Sequence, residues 1–164
     1  MKRILASVLA VILFMSGCSA LGGHIKESVT FHYLCSHYRE DMCCVIASEE
    51  REASGHIGDL SYLLALYLMG PTSDELTSPL PVGIHILTVQ QQEGSIVLEL
   101  SDTGELLSDI EFSLAGACLT MTCLSIAEAD NVTVTSGSRT ITMNAESISL
   151  FDGIAESVHE EVLE

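Results

Sequence analysis

The sequence predicts an α+β domain, a small mixed or antiparallel sheet with two helices on one face. Three observations carry that expectation. Two segments, Leu60–Met69 and Ser108–Ala129, have helical start signals followed by apolar residues at helical length and spacing. Short runs rich in β-branched residues flank each of them. The resulting order is strand, strand, helix, strand, strand, helix, strand, strand, and two apolar helix faces laid on one sheet would bury both.

The chain begins Met1-Lys2-Arg3, continues with mostly apolar residues from Ile4 to Met15, and reaches Ser16-Gly17-Cys18. A basic start, a short apolar run and small residues form an export signal. The run is shorter than the ~20 residues a bilayer span needs. Met15-Ser16-Gly17-Cys18 resembles a bacterial lipobox, which makes residues 1–17 a signal peptide and Cys18 the lipid attachment site. Acyl chains on Cys18 would anchor the chain, each buried methylene contributing ~0.8 kcal/mol. The expected location is the extracytoplasmic face of the cell membrane, with residues 18–27 as a tether. No later apolar run reaches ~18 residues, so no second membrane segment is expected.

Val29–Leu34 carries β-branched and aromatic residues and reads as a strand, with Cys43–Ala47 as its short partner. Ser48–Gly55 is polar and reads as a connection. Asp59 is placed to cap a helix from Leu60 to Met69, which Gly70 and Pro71 end. This helix is apolar on both sides. Leu60, Leu63, Leu64, Tyr67 and Leu68 share one face, while Tyr62, Ala65, Leu66 and Met69 fall on the other. Ten residues is half a membrane span, so the second face calls for cover from the domain or from a partner. Tyr62, Leu66 and Met69 are therefore the candidate interface residues.

Ile84–Val89 and Ser95–Leu100 read as a hairpin joined through Gln91-Gln92-Glu93-Gly94, with Ile96, Leu98 and Leu100 on one face. Ser108-Asp109-Ile110-Glu111 matches a capping box. Phe112, Ala115, Leu119, Thr122 and Ile126 then form a core-facing stripe. Asn131–Thr135 and Arg139–Met143 read as a last hairpin around Ser136-Gly137-Ser138. Residues 28–152 make up the domain, and 153–164 form an acidic tail, loose or a short helix.

Six basic residues against 23 acidic ones give a net charge of −17, which loss of Lys2 and Arg3 takes to −19. That charge opposes binding to nucleic acid and to anionic headgroups. Tryptophan is absent and aromatics make up 5%, which gives little support to stacking sites. Five cysteines follow Cys18: Cys35, Cys43, Cys44, Cys118 and Cys123. Cys35 could pair with Cys43 or Cys44 across a turn. Cys118 and Cys123 lie about 140° apart around a helix and should not pair with each other. Buried reduced thiols are the simpler expectation.

His32, Cys35, His37, Cys43 and Cys44 are zinc-ligand types, but on a strand His32 points away from Cys35 and His37, and no second pair has finger spacing. Glu49, Glu50 and Glu52 beside Arg51 read as a solvated connection rather than an acid–base pair. No nucleophile elbow or phosphate-cradling glycine loop is present. The expectation is accordingly no catalytic residue, no metal site and no cofactor.

Leu63–Pro71 (LLALYLMGP), Leu80-Pro81-Val82-Gly83, the strands through Leu100, and Leu119–Leu124 leading to Val132-Thr133-Val134 resemble the GerM domain of sporulation and spore germination proteins of Firmicutes. The resemblance covers Val29 to Met143. It implies a fold similar to ring-building motifs of envelope assemblies, no catalytic activity, and work by protein contact outside the cytoplasmic membrane. The partner would be another envelope protein or a second copy. The chain departs from the family pattern in holding one copy and in its cysteine cluster. The alternatives are a protein that binds or hydrolyses cell-wall fragments, and a zinc or redox protein using the Cys35–Cys44 segment.

Overall fold

The computed structural model describes residues 27–36 and 45–148. The signal, Cys18, His37, Cys43, Cys44 and the acidic tail lie outside the described residues. The first strand, β1 (Ser28–Cys35), alternates buried and half-buried residues, with Val29, Phe31 and Tyr33 turned into the core. It pairs antiparallel with β2 (Ile46–Glu52), in a register that sets Phe31 against Glu49 and Val29 against Arg51.

The second strand thus runs through residues expected to form a polar connection, and it starts three residues later than predicted. Four consecutive charged residues, Glu49 to Glu52, carry no apolar alternation to reveal it. Such charges suit an edge strand, where they discourage pairing with a foreign chain.

Helix α1 (Leu60–Leu68) starts where predicted, with Asp59 accepting a hydrogen bond from the Tyr62 amide at 3.0 Å. Met69 is its C-cap. A two-residue strand, β3 (Leu76–Thr77), then pairs with the end of β1. Strands β4 (Ile86–Gln92) and β5 (Ser95–Leu100) form the expected hairpin, with the turn tightened to Glu93–Gly94 and a bulge between Ile86 and Thr88. Ile84 and His85 precede the strand rather than opening it.

Helix α2 (Asp109–Ile126) begins at the predicted capping box. The Glu111 amide reaches the Ser108 hydroxyl at 3.3 Å, and the Ser108 amide reaches the Glu111 carboxylate at 2.8 Å. The Ser108 amide and hydroxyl, both donating to the ionised carboxylate, hold the Glu111 pKa below its usual value. The helix ends at Ile126, three residues before the predicted Ala129. Strands β6 (Asn131–Ser136) and β7 (Arg139–Asn144) complete the chain as a hairpin. A helical turn, 145–148, follows, and its Ser147 amide is capped by Asn144.

The class is α+β, as predicted, and the strands divide between two sheets. One has the order β2-β1-β3, the other β4-β5-β6-β7. Strands β5 and β6 run parallel. A parallel pair needs a long crossover, which α2 supplies. Helix α2 packs against β1 on one side and against β6 and β7 on the other. It therefore lies between the sheets rather than beside α1 on one face of a single sheet.

That position explains the composition of α2. Nine of its 18 residues are buried, among them the small ones Ala115, Gly116, Ala117, Cys118 and Thr120. At Gly116 a β-carbon would come within 2.9 Å of Ile141 Cγ2, so the helix and β7 approach as closely as glycine allows. By length and composition α2 is long and apolar enough to cross a membrane, as a buried core helix also can be. Here its apolar surface faces the two sheets.

The core joins Ile96, Leu98 and Leu100 of β5 and Val132 and Val134 of β6 to Phe112, Ala115 and Leu119 of α2. Val29, Phe31 and Tyr33 of β1 join it with Leu60, Leu63, Leu64 and Tyr67 of α1. Each such leucine contributes about 1.5–3 kcal/mol through burial.

Candidate functional site

The α1 region gathers the residues that the sequence singles out, and its geometry starts from one arginine. Arg51 lies on β2, and its guanidinium donates to the backbone carbonyls of Leu66 at 3.3 Å and Gly70 at 2.9 Å. It also reaches the Tyr33 hydroxyl and stands over the Phe31 ring, 5.6 Å from its centroid. A helix ends with unsatisfied carbonyls and a partial negative charge, and a cation there satisfies both. Gly70, at φ +84°, turns the chain out of the helix in a conformation that side chains with a β-carbon rarely adopt.

Glu49, two residues earlier on the same face of β2, lies 3.7 Å from Arg51 Nε. Its carboxylate accepts from the Thr72 amide and hydroxyl and from the Ser73 amide, at 3.0–3.2 Å. These two charged residues therefore fasten α1 and the Gly70–Ser73 turn to the first sheet. Sequence reasoning placed them in a solvated connection. The missed signal was their i, i+2 spacing, which puts two opposite charges on one side of a strand.

Beneath α1, Tyr33 and Tyr67 stack with ring centroids 4.7 Å apart, and Phe31 meets both edge-on. The Tyr33 hydroxyl donates to the Tyr67 carbonyl at 3.0 Å, and the Tyr67 hydroxyl donates to the His32 carbonyl at 3.0 Å. Burial pushes the Tyr33 phenol up to about 12 and Tyr67 well above its ordinary value. Both phenols are thus neutral hydrogen-bond donors in the fold.

The three candidate interface residues have different surroundings. Met69 is 77% exposed and Tyr62 41% exposed, with Tyr62 stacked on His56 at 3.7 Å between centroids. Leu66 is half-buried and packs on the core. The domain itself covers one face of α1 only. Leu63, Leu64 and Tyr67 are fully enclosed, while Tyr62, Ala65 and Met69 face outward. Beside them a groove of 280 Å³ runs between α1 and β4, lined by Ser61, Leu64, Ala65 and Leu68 on one side and Ile86 to Val89 on the other.

Among the described residues no group of three His, Cys, Asp or Glu side chains could hold a metal ion. His32 Nδ1 is buried without a hydrogen-bond partner, and burial lowers the imidazole pKa. Cys118 and Cys123 are buried free thiols of α2, pushed by burial to about 12. At that value neither is a thiolate at neutral pH, so neither is a ready nucleophile.

A second arginine works as the first does. Arg139 of β7 donates to the Leu107 carbonyl at 2.8 Å and to the Thr103 hydroxyl, and stands 4.5 Å from the Phe112 ring centroid. Thr103 and Ser136, both buried, bond to each other at 2.8 Å, and Ser136 donates to the Ser101 carbonyl. The loop before α2 is held by this network.

No protein-family model matches the chain. No curated protein matches it either. Solved structures similar to it include a candidate lipoprotein from Clostridium perfringens, at 14% identity and a TM-score of 0.46, over 77% of this chain and 93% of that one. They also include the tandem GerMN domains of the sporulation protein GerM from Bacillus subtilis, at 15% identity and a TM-score of 0.49. That match covers 76% of this chain and 43% of the GerM chain.

Proposed function

We propose that the chain is a lipid-anchored, non-catalytic envelope protein whose GerM-like domain works by contact with another protein. The observation that carries this reading is how its polar and apolar groups divide. Arg51, Glu49, Arg139, Thr103 and Ser136, the polar groups with the most partners, all hold backbone or one another. The side chains left outward on α1 are Ser61 and the largely apolar Tyr62, Ala65 and Met69, beside a groove lined by leucines, isoleucine and valine. Such a surface suits packing against a protein better than proton transfer.

The anchor is the lipobox-like Met15–Cys18, which would place the domain on the extracytoplasmic face of the membrane. A role in sporulation or germination would follow from the GerM-like sequence. Crosslinking the tethered protein in its own cells, then identifying what it touches, tests the contact function. A protein partner attached near Tyr62 or Met69 is expected. Turnover of peptidoglycan fragments by the full chain would overturn the non-catalytic reading, and saturable binding of them would favour a cell-wall-binding protein instead. For the anchor, Cys18→Ala is expected to abolish metabolic labelling by a fatty acid and to release the protein from the membrane. Labelling that persists in the variant would refute Cys18 as the attachment site.

A further inference from the structure

Among the described residues, two edge strands are treated very differently. Edge strand β2 carries Glu49, Glu50, Arg51 and Glu52. Edge strand β4 reads ILTVQQQ, seven residues without a charge, a proline or a glycine. Among the described residues β4 pairs with β5 alone. Its bulge lies at its start, and from Thr88 to Gln92 the ladder is regular. Helix α1 lies along Ile86–Val89 of this strand, and the uncharged stretch beyond it, Gln90–Gln92, is a template for another strand.

Charge selects the strand. The outer face of the same sheet presents Thr88, Gln90, Val97, Thr133 and Thr142, with Glu99 as the one carboxylate among residues 86–92, 95–100, 131–136 and 139–144. This sheet is neutral, its Glu99 matched by Arg139, in a chain of net charge −17. A basic partner would be drawn to the acidic surfaces elsewhere. A second copy, itself strongly acidic, meets least repulsion here.

We infer that two copies of the chain join through β4, edge to edge and antiparallel, so that their four-stranded sheets form one sheet of eight strands. The antiparallel arrangement gives a twofold axis and a closed dimer. The glutamines at Gln90, Gln91 and Gln92 supply side-chain amides that donate and accept equally, so each row is self-complementary. Leu87, 58% exposed at the mouth of the α1–β4 groove, gains cover from the opposite copy. This inference rests on the reading of the domain as a protein-contact module and names its partner.

The test uses two differently tagged full-length copies made together, extracted in mild nonionic detergent, with one tag captured and the other measured. Co-capture is expected, and it should strengthen as salt screens the repulsion between acidic copies. Gln90→Glu with Gln91→Glu, nearly unchanged in shape, sets like charges across the new strand pair and should lower co-capture about tenfold. Thr140→Glu adds the same charge on β7, at the opposite edge of the sheet, and should leave it unchanged.

Absence of co-capture at every salt concentration would overturn the inference, as would weakening by salt or equal sensitivity to Thr140→Glu. Should the paired glutamate variant fail to fold by circular dichroism, oxidation of Gln90→Cys or Gln91→Cys copies decides instead. A covalent dimer is expected from those variants and none from Thr140→Cys, and the reverse pattern overturns the inference. Crosslinking to a different envelope protein without self-capture would refute β4 pairing and leave the contact-module reading standing. Absence of any protein crosslink would count against both.

Discussion

Helices α1 and α2 are both strongly apolar, and they are apolar for different reasons. Helix α2 lies between two sheets, so almost every direction from its middle meets protein, and small residues let the sheets approach. Helix α1 is enclosed on one side only, where Leu63, Leu64 and Tyr67 fill the core, while Tyr62, Ala65 and Met69 face outward. The comparison teaches that an all-round apolar helix carries two messages that composition alone does not separate. Enclosure shows as a mix of small and large residues. One-sided burial shows as large residues on the enclosed side, with small ones such as Ser61 and Ala65 confined to the open side.

Truncation in the shared core has the largest expected effect, and it should not distinguish the helices. Leu119→Ala on α2 and Leu63→Ala on α1 each remove a fully buried side chain. Each is expected to cost about 2–5 kcal/mol in denaturant unfolding. A cost below 1 kcal/mol for Leu63→Ala would mean that α1 is not docked as described.

Enlargement separates the helices. Gly116→Ala drives a β-carbon toward Ile141, and Ala117→Leu adds volume where 3% of the residue is exposed. Each is expected to destabilise by about 1–3 kcal/mol. Ala65→Leu on the open face of α1 should change stability by no more than about 0.5 kcal/mol. Equal costs for Ala117→Leu and Ala65→Leu would erase the difference between the two environments.

The arginine at the end of α1 tests what holds the one-sided helix in place. Arg51→Ala takes the side-chain donor from the Gly70 carbonyl, leaves the Leu66 carbonyl with the Met69 amide alone, and leaves Glu49 without its cation. The expected loss is about 1–3 kcal/mol by thermal or denaturant unfolding. Arg51→Lys should recover only part of it, because an ammonium replaces the Nη1 donor but not the planar group that lies over Phe31 or the Nε beside Glu49. Full recovery by lysine would show that charge at the helix end suffices.

Much of this architecture was legible beforehand, and the exceptions have physical causes. Asp59, Ser108 and Glu111 announced both helix starts because capping is a local interaction between near neighbours. Ile96, Leu98 and Leu100 announced their strand through simple alternation. Strand β2 was hidden because its inward side chains are Glu49 and Arg51, whose burial is stabilised by long-range partners that no periodicity records. The division into two sheets was hidden too, since the parallel pairing of β5 with β6 depends on which strands α2 connects in space. At the candidate surface the sequence identified Tyr62 and Met69. It placed Leu66 with them, although this residue packs on the core.

Raising the pH should loosen the enclosed helix first. Cys118 and Cys123 have folded pKa values near 12, above the ordinary thiol value of 9. Groups raised in this way stabilise the fold fully below pH 9, and the contribution falls as pH climbs from 9 toward 12. Tyr33, also raised to about 12, adds a loss that begins near pH 10. Unfolding midpoints should therefore fall through this window, and Cys118→Ala with Cys123→Ala should flatten the part beginning near pH 9. A midpoint that stays level from pH 9 to 11 in the parent protein would contradict the burial of both thiols. At the acid end the sign reverses. His32 and Glu111 have lowered folded pKa values, so each contributes stability that fades as pH falls through its titration.

The smallest effect on stability is expected at the open face of α1. Met69→Ser removes a side chain that is 77% exposed and should change unfolding free energy by about 0.5 kcal/mol or less. Tyr62→Ser also removes the ring stacked on His56, so a slightly larger change is expected, still below about 1 kcal/mol. Leu66→Ser should cost more than either because this residue packs on the core. If the open face meets a partner, Tyr62→Ser and Met69→Ser should weaken crosslinking in cells while leaving the unfolding curve almost in place. A variant that changed stability as much as Leu63→Ala would show that the outward side of α1 is a second core face. That result would remove the contrast with α2 and, with it, the reason to look for a partner on α1.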